Sequence, residues 1–392
     1  MTVAFQPLAG VRVIDFTRVL AGPYATMQLA ELGADVIKIE MPGTGDETRA
    51  WGPPFVGQTS AYFHAVNRGK RSVALDLTTK DGRTAVDRLI ASADVVVENF
   101  RPGVTDRLGI GPAAVLERHP SVVYGSITGF GVDGPMATHA GTEVIVEAES
   151  GLMSITGLPD GEPVRFGVAM VDLATGLSLV NGVLAALLER VRTGRGRRID
   201  VSLYSTAISA LGTVIAGSSV DGGTPRPWGS AHPSIVPYRA FAAQDGHVVL
   251  GATNDAMYRR LIESLDASRA LGRHAWSGNA GRVAERDEVE AELQSIVGEL
   301  TVDELLTRLR RLGVLVAPVR TPGEAARSDQ AAALRLIIDD DGLLVPRSPL
   351  SSTGTRDLCR APELGEHTEQ VFTELDGLDV SPSTGKDNHV VN

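Results

Sequence analysis

Between residues 11 and 130, short Val- and Ile-rich runs alternate with helical patterns, and this alternation narrows the fold more than any other feature. The runs are VRVIDF (11–16), ADVIKIE (34–40), KRSVALDL (70–77), DVVVENF (94–100) and SVVYGSITGF (121–130). PYATMQLAELG (23–33) reads as a helix with Pro23 in its opening turn and Gly33 at its end. KDGRTAVDRLIASA (80–93) reads as another, with Val86, Leu89 and Ile90 on one face. Strands that are apolar at nearly every position and joined by helices form a parallel sheet covered on both faces. The first half is therefore predicted to be a doubly wound α/β domain. Such sheets bind ligands at the carboxyl ends of their strands. Here those ends carry DFTRVLAGP, IEMPGTGD, ENFRPG and ITGFGVDGP.

A second feature is the segment GVAMVDLATGLSLVNGVLAALLERVRTGRGRRIDV (167–201), with one acid at Asp172 and no further charge until Glu189. Leu173, Leu177, Val180, Leu184, Leu187 and Val191 recur at helical spacing, which predicts a helix from about Leu173 to Arg192 stopped by Gly194. RIDVSLY (198–204) reads as a further strand. AGSSVDGGTPRPWGSAHPSIVPY (216–238) is dense in Gly, Pro and Ser, and reads as a linker or an ordered active-site loop. The expected organisation is a large domain over 1–205 and a linker and loop over 206–238. A smaller α+β domain follows over 239–325, then a segment over 326–392 that returns to the large domain and ends in a frayed polar tail.

Composition excludes several classes. The net charge of −11 argues against a nucleic-acid surface. The single cysteine, Cys359, allows neither an intrachain disulfide framework nor a Cys-based zinc site. Asp15 and Arg18 interrupt the N-terminal apolar stretch, so it does not read as a signal peptide. The weakly polar run Ala207–Val220 is too short and too rich in Gly and Ser to span a bilayer. The expectation is a cytoplasmic protein with no nucleic-acid partner, no membrane partner and no metal.

GFGVDG (129–134) matches a dinucleotide fingerprint, but Pro135 follows and no amphipathic helix opens in the glycine loop. At other strand ends, Asn99 offers hydrogen bonds, Phe100 a stacking face and Arg101 a phosphate partner. Arg68, Lys70 and Arg71 form a local basic cluster in NRGKR. Each alone is equally a turn beside a solvated charge. Several at one sheet edge point to a phosphate-bearing nucleotide.

With these segments in order, joined by YGSITGFG, GLMSITG, RTGRGRRIDVSL, GSAHPSIVPY and LGEHT, the chain resembles the class III coenzyme A transferases of the CaiB/BaiF (carnitine/bile-acid/formyl) type over nearly its whole length. The resemblance implies a Rossmann-like large domain, a small domain and an interlocked, ring-like homodimer. It implies acyl-CoA and a free carboxylic acid as substrates, with no tightly bound cofactor. By position it places the catalytic Asp at Asp172, and CoA beside Val19, Leu20, Leu75, Asn99, Phe100, Arg101 and Arg107. Met41 and Leu20 depart from the formyl-type members, which carry an Arg and a polar residue there. WGSAHP (228–233), with Gly229, Ser230 and His232, is either a lid supplying backbone amides or an interdomain turn. Glu143 is a candidate substrate contact. Arg165 either pairs with a second carboxylate or lies on the surface.

Asp172 has two compatible roles. It is placed to cap the helix, where the positive end of the dipole keeps a carboxylate ionised. The resemblance makes it the nucleophile of a covalent mechanism. Two other functions stay open. An α-methylacyl-CoA racemase shares the fold, but Thr142 in GTEVIVE (141–147) stands where its His would be. A catalytically silent CoA-binding protein is the third.

Overall fold

A computed structural model describes residues 5–351, 354, 355, 358 and 360–380. Cys359 and the polar tail from 381 onward lie outside the described residues. The chain divides into two compact units. One comprises Met1–Leu152, Phe166–Gly217 and Ala332–Asn392, the other Met153–Arg165 and Ser218–Ala331.

In the first unit, six strands form one parallel sheet: β1 (Arg12–Asp15), β2 (Asp35–Glu40), β3 (Arg71–Ala74), β4 (Val95–Glu98), β5 (Val123–Thr128) and β6 (Arg198–Ser202). Their order is β3-β2-β1-β4-β5-β6. This is the doubly wound order expected from the alternation of strands and helices, and its winding reverses between β1 and β4. Side chains alternate across the strands. Ile14, Ile37, Val73 and Val96 pack with Val86, Leu89 and Ile90 of α3 (Lys80–Ala91) and with Val371 of the last described helix, Thr368–Val380. Thr79 caps α3 by accepting the Gly82 N–H at 3.0 Å. Each of these fully buried apolar side chains contributes about 1.5–3 kcal/mol relative to exposure.

α1 (Ala21–Glu31) follows β1, and α2 (Ala61–Asn67) precedes β3. The long helix, which we number α6, spans Met170–Thr193 and is stopped by Gly194 at φ +69°. It packs along α1, β5 and β6. Between α3 and α6 lie α4 (Val104–Leu108) and α5 (Glu143–Ser150). The buried side of α6 is Val171, Thr175, Gly176, Leu179, Val180, Val183, Ala186 and Leu187, so Val180 and Leu187 of the predicted stripe are packed while the centre of the buried face is rotated from it. Leu177, Leu188 and Val191 are exposed instead, Val191 by 82%. The helix is apolar almost all round, so spacing alone could not select the packed face. By length and composition α6 could cross a membrane, but it packs on the sheet here.

Two further helices, α7 (Leu203–Ala210) and α8 (Gly212–Asp221), occupy the start of the stretch read from sequence as linker and loop. The second unit holds a three-stranded antiparallel sheet of Tyr238–Ala242, His247–Gly251 and Leu315–Pro318. Its own core gathers Trp276, Leu261, Leu293 and Leu305.

Candidate active site

The winding reversal leaves a crevice at the carboxyl ends of β1 and β4, where an open sheet receives its ligand. A cavity of about 280 Å³ lies there. Its walls are Val19, Leu20 and Ala21 after β1, and Asn99, Phe100 and Arg101 after β4. Thr128 ends β5 and Gly129 follows it, and Glu143 and Asp172 come from the starts of α5 and α6. The structure thus brings Asp172 together with Val19, Leu20, Asn99, Phe100, Arg101 and Glu143. Leu75 packs instead against the core under α3, and Arg107 is exposed on α4. Neither lines this cavity.

Asn99 stitches the two sides of the crevice. Its Oδ1 accepts the Arg18 N–H at 2.9 Å, and its Nδ2 donates to the Arg18 carbonyl at 2.8 Å. Sequence offered Asn99 as a ligand contact, whereas its amide is engaged with the chain. Phe100 carries the Arg18 guanidinium 5.2 Å from its ring centroid. Val19 sits at φ +67°, a conformation that strains a β-branched residue.

Asp172 is not the N-cap of α6. The cap is Ala169, and Asp172 is the third helical residue. Nor does the helix terminus dominate its charge state. Burial, reinforced by the Glu143 carboxylate, pushes the Asp172 carboxyl up to about 7. Sequence reasoning held this group firmly anionic because it could count the helix dipole but not the desolvation. Glu143 is buried, and its Oε1 accepts the Val171 N–H at 2.8 Å, which fixes the first turn of α6.

Two residues around Asp172 escaped the sequence reading, one beside the cavity and one in its wall. Tyr62, on α2, is raised to about 12 by burial and by the neighbouring charges of Asp172, Glu143 and Asp46. Its ring lies 5.5 Å from Trp51. Nothing in AYFHAVN marked it, because its proximity to Asp172 arises only in the fold. His139 lines the cavity from the loop after β5, where its ring meets the edge of Phe130 at 6.4 Å. That loop closes at its neck, where Gly129 and Gly141 pack backbone to backbone and a Cβ on Gly129 would come within 2.7 Å of the Gly141 Cα. Gly129, the first glycine of the false dinucleotide match, serves this closure. The next helix begins only at Glu143.

The basic cluster expected to meet phosphate is turned inward. Lys70 is fully buried against Asp15, Arg71 pairs with Asp35 and Glu374, and Arg68 is buried and donates to the Pro346 carbonyl. Gly229, Ser230, His232 and Arg165 belong to the second unit. There the Gly229 N–H donates to the Gly157 carbonyl at 2.8 Å, and the His232 N–H to the Tyr238 carbonyl at 2.9 Å. The His232 ring stacks on Tyr238, and Ser230 Oγ accepts the Ala240 N–H at 3.0 Å. Arg165 is exposed. Among the described residues, no group of three or more His, Cys, Asp or Glu is placed to hold a metal ion.

Comparison with known proteins adds a family. The family model described as "CoA-transferase family III" matches residues 8–368. The chain is 40% identical to the succinate–glutarate CoA-transferase of Agrobacterium fabrum, over 95% of this chain and 96% of that protein. It is 39% identical to the mouse succinyl-CoA:glutarate CoA-transferase, over 95% and 87%. A crystal structure of a CaiB/BaiF family protein from Brucella suis superposes with a TM-score of 0.86 at 38% identity, covering 95% of this chain and all of that one.

Proposed function

The chain belongs to CoA-transferase family III and is a CoA-transferase, and from that premise we propose that it moves CoA from succinyl-CoA to a second small dicarboxylic acid through Asp172. The observation that carries this reading is the position of Asp172 in one cavity with Val19, Leu20, Asn99, Phe100 and Arg101, five of the seven residues that the family resemblance assigns to CoA. The substrate class is supported by the relatives named for succinyl-CoA and glutarate.

In the proposed reaction, an Asp172 oxygen attacks the thioester carbonyl. The new C–O bond forms, the C–S bond breaks, and CoA leaves as thiolate with a mixed anhydride behind it. The thiolate then attacks the Asp172 carbonyl, releasing the donor acid and leaving an aspartyl-CoA thioester. The acceptor carboxylate attacks that carbonyl and expels the thiolate, which closes the cycle on the acceptor's acyl carbon. No net proton is consumed, so the requirement on Asp172 is that it be ionised. A carboxyl raised to about 7 is a more basic nucleophile than a solvated aspartate, and it is available above neutral pH.

The reading includes an interlocked homodimer in the cytoplasm. The dimer is supported by apolar side chains left uncovered on two helices, Leu188 (66% exposed) and Val191 on α6 and Val220 (88% exposed) on α8. Light scattering on the purified protein tests it, and a monomer at micromolar concentration contradicts it.

The test of function is incubation with succinyl-CoA and a panel of free acids, followed by mass spectrometry. The expected outcome is acceptor-dependent formation of a new acyl-CoA, with hydroxylamine trapping a modification on Asp172. Asp172→Ala keeps CoA binding and loses transfer. Deuterium exchange at the acyl α-carbon without any acceptor would identify a racemase instead.

A further inference from the structure

Two lysines of the large unit are withdrawn from solvent completely, and both lie under the loop that joins β1 to α1. Lys38, on β2, donates from Nζ to the Thr17 carbonyl at 2.6 Å and pairs with Asp46 at 3.0 Å. Lys70, just before β3, donates to the Pro23 carbonyl at 2.9 Å and to Asn67 Oδ1 at 2.8 Å, and pairs with Asp15 at 3.1 Å. Asp15 also accepts the Thr17 N–H at 2.9 Å, and the hydroxyls of Thr17 and Thr26 at 2.6 Å each. The side chains of all four paired residues are 0% exposed.

The two carbonyls held this way, of Thr17 and Pro23, bracket residues 18–22. Within the bracket, Val19 is at φ +67° and its N–H faces Asp46 Oδ1 at 3.5 Å. A Cβ on Gly22 would come within 2.3 Å of the Thr17 Cβ, so the segment folds tightly back on itself. Val19, Leu20 and Ala21 are the residues of this segment that line the cavity beside Asp172.

Burying ion pairs is poor value for stability, because desolvation opposes the Coulomb gain and apolar replacements of the same volume often do as well. A strained loop held by an over-determined network is a feature of functional sites. We propose that Lys38 and Lys70 form a clamp that presets the β1–α1 loop to receive the CoA thioester. They are positioning residues, acting through the carbonyls of Thr17 and Pro23 without touching substrate. The inference rests on the CoA-transferase reading above. A loop ordered in advance does not have to be ordered on binding. Loss of the clamp therefore appears as weaker binding, while the chemical step on α6 is largely kept.

The experiment uses full-length protein and compares wild type with Lys38→Met. Free CoA is titrated by calorimetry, and kcat and KM are measured with succinyl-CoA and glutarate. Loss of a charge-assisted bond predicts a rise of about tenfold in the Kd for CoA and in the donor KM, with kcat down less than about threefold. Leu293→Ala, in the core of the second unit, controls for general destabilisation and should lower the thermal midpoint without moving the Kd. If Lys38→Met does not fold, Thr17→Val takes its place, since it deletes the hydroxyl bond to Asp15 with little change of shape. It should raise the Kd about three- to fivefold. The clamp is overturned if the folded variant binds CoA as wild type does, or if its loss falls on kcat with the Kd unchanged. Failure of the wild-type protein to bind CoA would overturn the functional reading instead.

Discussion

Asn99 holds Arg18 by both sides of one residue, accepting its N–H at 2.9 Å and donating to its carbonyl at 2.8 Å. The two residues are 81 positions apart and lie in the loops that follow the two strands between which the winding of the sheet reverses. The pairing ties together the two loops that carry Val19 and Phe100 into the cavity wall.

Asn99→Ala removes both bonds. At about 1 kcal/mol each, the loss should lower the thermal midpoint by several degrees and weaken CoA binding by about tenfold. Asn99→Asp keeps the acceptor and loses the donor, so its effect should lie between wild type and Asn99→Ala. Equal CoA affinity in all three proteins would show that the crevice does not depend on this pairing.

Asp172→Asn is expected to lose transfer and gain stability. The native carboxyl is raised from 3.8 to about 7, so the folded state binds a proton more tightly than the unfolded chain. Below pH 3.8 the group is neutral in both states and costs nothing. As pH rises toward 7, the unfolded chain gains from ionising while the folded group stays protonated, and stability falls. Asn has no such cost. The stability difference between variant and wild type should therefore open between about pH 4 and 7, then level off, reaching about 2–4 kcal/mol. Urea unfolding at pH 5, 6, 7 and 8 measures it, and a difference that does not grow with pH would contradict the buried environment of Asp172.

The sheet was legible in the sequence because buried parallel strands are written as unbroken Val and Ile runs. Asp172 stood out because sixteen uncharged residues follow it. What the sequence left hidden was burial. Asp172 is three residues inside its helix beside a second acid, so desolvation outweighs the dipole that the sequence could count. Lys70 and Arg71 look alike in NRGKR, yet one is sealed against Asp15 and the other lies at the sheet edge with Asp35 and Glu374. Tyr62 carries no local mark, since its relation to Asp172 spans 110 positions and exists only after folding.

Glu143→Gln separates the two causes acting on Asp172. The amide oxygen of Gln can still accept the Val171 N–H, so the start of α6 keeps its anchor. The like charge is gone, while burial, the larger cause, remains. The acid limb of the kcat/KM profile, which the proposed reaction ties to ionisation of Asp172, should therefore move to lower pH by less than about one unit and stay well above an ordinary aspartate. An unmoved limb would mean that Glu143 acts on Asp172 only through the helix backbone.

Gly176 tests whether the distance between α1 and α6 controls the chemistry. It lies one turn after Asp172, and a Cβ there would come within 2.7 Å of the Ala21 carbonyl oxygen and 3.2 Å of Tyr24. The carbonyl belongs to the first turn of α1, which also lines the cavity, and backbone cannot swing aside as a side chain can. Gly176→Ala should cost about 1–3 kcal/mol from overpacking and push Asp172 away from the β1–α1 loop. A displacement of this kind typically lowers kcat by about 100-fold. Gly182→Ala, two turns further along α6, meets mainly the Ile199 side chain, at 2.6 Å, and Ile199 can adjust its rotamer. It is expected to lose comparable or smaller stability and to keep kcat within about threefold. If both variants lower kcat equally, the rate follows global stability rather than the spacing of the two helices at the cavity.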